Sequence, residues 1–149
     1  MKCKMLTPDL SVMPQVSESD IAELSRLGFK SIISNRPDGE SADQPAWTAI
    51  AATADRCGMQ ARHIPIVASQ VDADDVAQFA AALRDLPTPI AAFCRTGTRA
   101  ALLWALSKED LRSANERIGV AAKEGFDLEP FRARIEHLST SAQSAGKGD

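Results

Sequence analysis

Short apolar runs alternate with stretches of helical periodicity along most of this sequence. FKSIISN, MQARHIPI and IAAFC are strand-like, and helix-like segments with apolar residues three and four apart lie between them. Such alternation favours parallel strands joined by right-handed helical crossovers. We therefore predict an α/β fold in which a central, mostly parallel sheet of about four strands carries helices on both faces.

Capping and turn residues set the expected limits of these elements. Ser17, with Asp20 three residues later, begins a helix that Gly28 ends, and Pro45 and Gly58 flank the next helix. We predict strands near residues 9–13, 29–35, 59–66 and 90–94, and helices near residues 17–28, 45–57, 72–86, 99–109, 111–123 and 130–138.

Length and composition indicate one domain. The chain has 149 residues, 44% of them hydrophobic and 25% charged, which is the composition of an ordinary globular domain, and it contains no internal repeat. We assign residues 1–140 to a single catalytic domain. The small, polar residues 141–149 are expected to form a disordered tail.

Charge and hydropathy narrow the class of partner. The net charge of −3 argues against nucleic acid as the main partner. The start of the chain lacks the apolar stretch of a signal peptide, and the longest apolar run, residues 100–106, is too short to span a bilayer. We expect a cytoplasmic protein with no membrane partner, and the oligomeric state is left open.

The cysteines and histidines form neither a disulfide pattern nor a metal pattern. Cys3, Cys57 and Cys94 are odd in number and far apart, which is not typical of a disulfide framework. His63 and His137 have no neighbour at the spacing of metal ligands. We expect no metal and no cofactor.

The stretch FCRTGTRA carries the most chemistry. Cys94 ends a predicted strand and Arg99 begins a helix, so a tight loop joins them at the sheet edge where α/β proteins bind ligands. The N–H groups of this loop and the positive end of the helix attract an anion. Together with Arg95 and Arg99 they favour a thiolate. We expect Cys94 and Arg99 to be catalytic and Arg95 to bind an anionic substrate.

The other loop residues fit the same interpretation. Gly97 suits a position with positive φ, and the Thr96 and Thr98 hydroxyls can donate to the sulfur, so all three are candidate anion-binding residues. A lone cysteine is often buried only for packing. A strand, a cysteine, two arginines and a glycine, followed by a helix, argue against that alternative here.

This loop resembles the active-site loops of two enzyme classes. Cysteine-dependent phosphatases place five residues between cysteine and arginine, whereas rhodanese-type sulfurtransferases commonly place four, the number between Cys94 and Arg99. With SIISNRPDGE, HIPI and LWAL, roughly residues 5–108 are similar to the phosphatase-like domain of the beta-lactamase-hydrolase-like family (DUF442). The resemblance implies a cysteine-phosphatase-like fold with a rhodanese-like loop.

The expected function is that of a rhodanese-like sulfurtransferase. By analogy of size, the shorter loop suits one added sulfur atom better than a phosphoryl group with its three equatorial oxygens. Cys94 would take sulfane sulfur from a small anionic donor, thiosulfate or a persulfide, and pass it to a thiol or cyanide. Arg95 and Arg99 would hold the donor. A sulfite or thiolate leaving group needs no general acid, and the sequence shows no obvious one.

Two alternatives stay open. The first is a dual-specificity-type phosphatase that acts on phosphate esters through a phosphocysteine at Cys94, with Asp38 as the candidate general acid. The second is a non-catalytic anion-binding or redox-sensing module. Arg36 is expected either to line the pocket or to pair with Asp38 or Glu40. The acids among residues 72–75 are expected to stabilise the start of a helix instead.

Overall fold

The computed structural model describes residues 2–107 and 112–137 of the chain. The strands are β1 (Lys4–Thr7), β2 (Leu10–Met13), β3 (Ser31–Ser34), β4 (Gln60–His63) and β5 (Ile90–Phe93). The helices are α1 (Glu18–Arg26), α2 (Trp47–Arg56), α3 (Ala73–Asp85), α4 (Thr98–Leu106) and α5 (Ala114–Lys123). Short 3-10 turns lie at Ala68–Gln70 and Glu129–Phe131, and residues 132–137 continue the second turn as a helix.

The strands form one sheet in the order β1-β2-β5-β3-β4. The strands β2, β5, β3 and β4 run parallel, and β1 pairs antiparallel with β2. The predicted α/β class and mostly parallel sheet are confirmed, with five strands instead of about four. The sequence did not reveal β1 because it is a short edge strand: Lys4 and Met5 are exposed, and the register shifts between Met5 and Thr7.

Successive residues of the central strands serve two different cores. Ile32 and Ala91 pack into a cluster with residues of α1 and α2. The next residue of each strand, Ile33 and Ala92, packs into a larger cluster with residues of α3, α4 and α5. This alternation is the two-residue period of a strand, and it confirms the prediction of helices on both faces.

Side-chain caps fix where two of the helices begin. Ser17 and Asp20 exchange hydrogen bonds as a capping box at the start of α1. Asp72 and Asp75 do the same at the start of α3. The sequence predicts that acidic residues among 72–75 stabilise the start of a helix, and Asp72 and Asp75 do so.

The C-terminal part of the described chain extends the larger core. Ile118, Phe126, Leu128 and Ile135 are buried beside α3 and α4. The helix predicted at residues 130–138 is present up to residue 137, whereas Leu138 and the tail at 141–149 lie outside the described residues. Within 2–107 and 112–137, no helix is both long and apolar enough to cross a membrane.

Candidate active site

The candidate nucleophile lies at the carboxyl end of the central strand β5. Cys94 follows this strand directly and is only 1% exposed, because β2 and β3 flank β5 on both sides. Three residues later Gly97 caps α4, and its N–H donates to the Cys94 Sγ at 3.1 Å. The sulfur therefore faces the amino end of a helix, where unpaired N–H groups stabilise negative charge.

Gly97 is required by both conformation and space. Its φ of +98° lies in the left-handed region, which confirms the positive φ predicted from the sequence. A Cβ atom there would lie 3.0 Å from two ring carbons of Phe126 and 3.3 Å from the carbonyl carbon of Met13. The loop is thus packed from behind by the segment that follows α5. The anion-binding role of Gly97 stays a prediction.

Arg99 is held beside the cysteine by a carboxylate from another loop. Its Nη1 donates to Glu40 Oε2 at 2.7 Å and its Nη2 to Glu40 Oε1 at 2.8 Å. The Nη1 also donates to the backbone carbonyl of Ile66 at 3.1 Å. The hydrogen bond with Glu40, followed by weaker contributions from Cys94, raises the pKa of Arg99 further. The predicted pair of cysteine and arginine is therefore brought together.

The same carboxylate also binds Arg36. The Nε of Arg36 donates to Glu40 Oε1 at 3.0 Å, and its Nη1 and Nη2 reach Gln15 and Ser41. Arg36 is only 5% exposed. The hydrogen bond from Arg99 and then that from Arg36 lower the pKa of Glu40 from an ordinary 4.5 to about 2, although burial opposes the shift. Arg36 thus pairs with Glu40, and its contact with a substrate stays a prediction.

Asp38 makes a helix-capping contact. Its Oδ1 accepts a hydrogen bond from the backbone N–H of Trp47, the first residue of α2, at 2.9 Å. It lines a narrow polar crevice beside Arg36 and Phe93 that is too small to hold a water molecule. The sequence suggested Asp38 as a general acid because it follows a strand at the correct sheet edge. That role stays a prediction.

The other predicted anion-binding residues lie at the outer side of the loop. Arg95 and Thr96 are exposed, and Thr98 is half-buried. The Oγ1 atoms of Thr96 and Thr98 lie 3.1 Å apart and hydrogen bond to each other. All three side chains are therefore available at the rim, and their contact with an anion stays a prediction.

Gln15 was not predicted from the sequence. Its backbone N–H donates to the carbonyl of Arg95 at 3.3 Å, and its side chain accepts from Arg36 at 3.0 Å. A signal was present, because Gln15 follows β2, and β2 and β5 are parallel neighbours that end at the same edge. The residue joins the cysteine loop to the loop after β3.

The histidine near the site has structural contacts. His63 stacks on Trp47 with ring centroids 5.0 Å apart, and its Nε2 hydrogen bonds to the Arg36 carbonyl at 2.9 Å. In the part of the chain that the structure describes, no three His, Cys, Asp or Glu residues are grouped as metal ligands would be.

The sequence matches the family described as the beta-lactamase hydrolase-like protein, phosphatase-like domain, over residues 2–111. The chain belongs to this family. A beta-lactamase hydrolase-like protein from Agrobacterium fabrum is 35% identical over 132 residues, which cover 86% of this chain and 30% of that protein. The chain thus spans less than a third of the length of the curated relatives it matches.

Solved structures share the fold. A protein from Neisseria meningitidis that is assigned as a phosphatase is 33% identical, with a TM-score of 0.84 over 93% of this chain and 99% of that one. A DUF442 protein from Shewanella putrefaciens is 18% identical, with a TM-score of 0.72 over 97% of this chain and 90% of that one. The predicted cysteine-phosphatase-like fold and the family resemblance are confirmed.

The expectation of sulfur transfer is wrong. The family is phosphatase-like, and the structural neighbours include several phosphatases. The number of residues between Cys94 and Arg99 is a poor guide to the reaction, because it does not measure the shape of the loop. The sulfur donor and the thiol or cyanide acceptor have no support. What holds is membership of a phosphatase-like, cysteine-dependent enzyme family.

Proposed function

We propose that this chain is a cysteine-dependent phosphatase that hydrolyses phosphate esters through a phosphocysteine at Cys94. The observation that carries the proposal is the hydrogen bond from the Gly97 N–H to the Cys94 sulfur, with Arg99 two residues further along α4. The phosphatase-like family and the 33% identical Neisseria protein support this reaction class. Residues 1–140 remain our proposal for the catalytic domain.

The reaction has two steps. The Cys94 thiolate attacks phosphorus, the bond between phosphorus and the ester oxygen breaks, and the leaving oxygen takes a proton. Water then attacks the phosphocysteine, the bond between sulfur and phosphorus breaks, and inorganic phosphate leaves with the thiolate restored.

The loop and Arg99 stabilise the charge of the phosphoryl group during both steps. The Gly97 N–H at the start of α4 points to the sulfur, and backbone N–H groups placed in this way can also bind phosphoryl oxygens. Arg99 supplies a planar, permanently charged donor beside them. Arg95, Thr96 and Thr98 extend this anion site to its exposed rim.

Asp38 is our proposed proton donor for the leaving oxygen. An Asp38→Asn variant should lose more activity on an alkyl phosphate than on p-nitrophenyl phosphate, because the nitrophenolate leaves readily without a proton. Comparing the kcat/KM ratios of the two substrates in both proteins tests this role. An equal loss on both substrates would assign Asp38 to the capping of α2 alone.

The first test of the function compares two cysteine variants. Cys94→Ser should abolish turnover of p-nitrophenyl phosphate because serine is a much weaker nucleophile here. Cys57→Ser is the matched control, since Cys57 ends α2 and is half-buried away from the loop. It should keep wild-type activity. Mass spectrometry after rapid acid quench should find one phosphoryl group on Cys94, and activity retained by Cys94→Ser would refute the mechanism.

A further inference from the structure

The donors of Arg99 are divided between two edges of its guanidinium. A guanidinium has five N–H donors in a fixed plane. The two on Nη1 bind Glu40 Oε2 and the Ile66 carbonyl, and one on Nη2 binds Glu40 Oε1. The two that remain, on Nε and Nη2, lie together on the other edge. Glu40 therefore occupies the terminal edge, and the side edge keeps two N–H donors that bind no oxygen atom among residues 2–107 and 112–137.

The side edge is the one available to the sulfur. Cys94 contributes to the raised pKa of Arg99 through charge and through a hydrogen bond, after the larger effect of Glu40. A fork of two parallel N–H donors matches two oxygens of a phosphoryl group. Because Glu40 and the Ile66 carbonyl bind the other three donors, the donors that Arg99 has left for Cys94, or for a phosphoryl group bound there, are those of the side edge.

Glu40 is itself fixed on its other side. Arg36 donates to Glu40 Oε1 at 3.0 Å and is anchored by Gln15 and Ser41. Arg36 is buried, so moving the carboxylate away would leave a buried cation with fewer partners. The carboxylate is therefore held between two arginines, one buried and one beside Cys94.

Two roles are possible for an anion next to the substrate-binding arginine. It can compete with the substrate, or it can orient the arginine. Competition would place the carboxylate on the edge that faces Cys94, whereas Glu40 binds the opposite donors. We propose that Glu40, held in place by Arg36, is a positioning residue that turns the side edge of Arg99 toward the phosphoryl group bound at Cys94. This inference rests on the proposed phosphatase function.

The two roles predict opposite signs for oxyanion binding. If Glu40 positions Arg99, Glu40→Gln should weaken the binding of inorganic tungstate, measured by calorimetry, by about ten-fold. If Glu40 competes with the substrate, the same variant should bind tungstate more tightly. Unchanged or tighter binding would overturn the proposal. Glu129→Gln is the matched control, because both carboxylate oxygens of Glu129 accept hydrogen bonds from Arg132, which is not part of the candidate site. This variant should bind tungstate as the wild type does.

A double-mutant cycle separates positioning from general stability. If Glu40 acts through Arg99, adding Glu40→Gln to an Arg99→Lys protein should cause little further loss of tungstate affinity. A loss that adds in full would overturn the proposal. Glu40→Asp is the second variant in case Glu40→Gln does not fold. It keeps the charge beside Arg36 but shortens the reach to Arg99, so it should also weaken binding, and unchanged affinity would overturn the proposal.

A third measurement does not depend on turnover. Iodoacetate is anionic and iodoacetamide is neutral, so the ratio of their alkylation rates at Cys94 reports how well a cation is placed beside the sulfur. Positioning predicts that the ratio falls in Glu40→Gln, although the variant has lost a negative charge. If the wild type has no phosphatase activity but the ratio still falls in Glu40→Gln, the proposed function is refuted and the positioning role is kept. If the wild type hydrolyses phosphate esters but the ratio in Glu40→Gln is unchanged or higher, the positioning role alone is refuted.

Discussion

Two arginine–glutamate pairs in this molecule have similar hydrogen-bond lengths but use different edges of the guanidinium and lie in different surroundings. Arg99 binds both carboxylate oxygens of Glu40 at 2.7 and 2.8 Å, and Arg132 binds both oxygens of Glu129 at 2.9 and 2.8 Å. The first pair joins residues 59 positions apart, and its side chains are 15% and 29% exposed. The second joins residues three apart, and its side chains are 34% and 58% exposed.

The short hydrogen bonds of an ion pair therefore do not by themselves reveal its importance. Exposed pairs within one helical turn contribute little, because water screens the charges and the long side chains lose conformational freedom. The Arg99–Glu40 pair joins the start of α4 to the loop after β3, contacts a buried arginine and lies beside Cys94. We expect it to affect catalysis, stability and pH dependence, and we expect the Arg132–Glu129 pair to affect none of them appreciably.

The largest expected contrast is in activity. Arg99→Lys should lower kcat/KM for a phosphate ester by about 10²–10³-fold, because lysine keeps the charge but lacks the planar fork that binds two oxygens. Arg132→Lys should leave kcat/KM at the wild-type value. Steady-state kinetics on both variants measure the contrast, and equal activities would remove the main distinction between the two pairs.

The second contrast is in stability at neutral pH. Glu40→Gln should lower the free energy of unfolding by about 1 kcal/mol, a value kept small because water still reaches part of the pair. Removing the Glu40 charge also leaves the buried Arg36 with a neutral partner. Glu129→Gln should unfold at the same denaturant concentration as the wild type. Urea unfolding of the three proteins tests this, and an equal shift in both variants would contradict it.

The smallest contrast is in the response to acid. The pKa of Glu40 is about 2 in the folded protein and near 4.5 when unperturbed, so its stabilising effect is complete above about pH 4.5 and is lost as the pH falls through 2. The stability difference between wild type and Glu40→Gln should therefore be constant from pH 7 to 5 and shrink below pH 4.5. Urea midpoints along this series measure it. A difference that persists unchanged at pH 2 would show that it does not come from the carboxylate charge.

The sequence predicted the parts of the site that are continuous in the chain. Cys94, Gly97 and Arg99 lie within six residues at the junction of β5 and α4, so local rules for strands, helix starts and positive φ were sufficient to place them. The same local rules gave the order of strands and helices and the helix-start role of Asp72 and Asp75.

The sequence could not predict the parts that depend on tertiary contacts. Glu40 lies 59 residues before its partner Arg99, and only the sheet order brings the loop after β3 next to the start of α4. The place of Gln15 after a predicted strand was a partial signal, but only the pairing of β2 with β5 brings it to the cysteine loop. The edge strand β1 lacks a buried pattern, and loop length misled the functional expectation because it does not report the direction of N–H groups or of Arg99.

The contact between Gly97 and Phe126 separates two meanings of a domain boundary. The similarity to the family ends at residue 111, yet the wall behind the nucleophile loop is supplied by Phe126, fifteen residues later. The family match therefore ends before the part of the chain that packs against the Cys94 loop. A chain shortened to the matched residues would keep every side chain proposed to be catalytic, but the loop that holds the Cys94 sulfur would face water where it now rests against an aromatic ring.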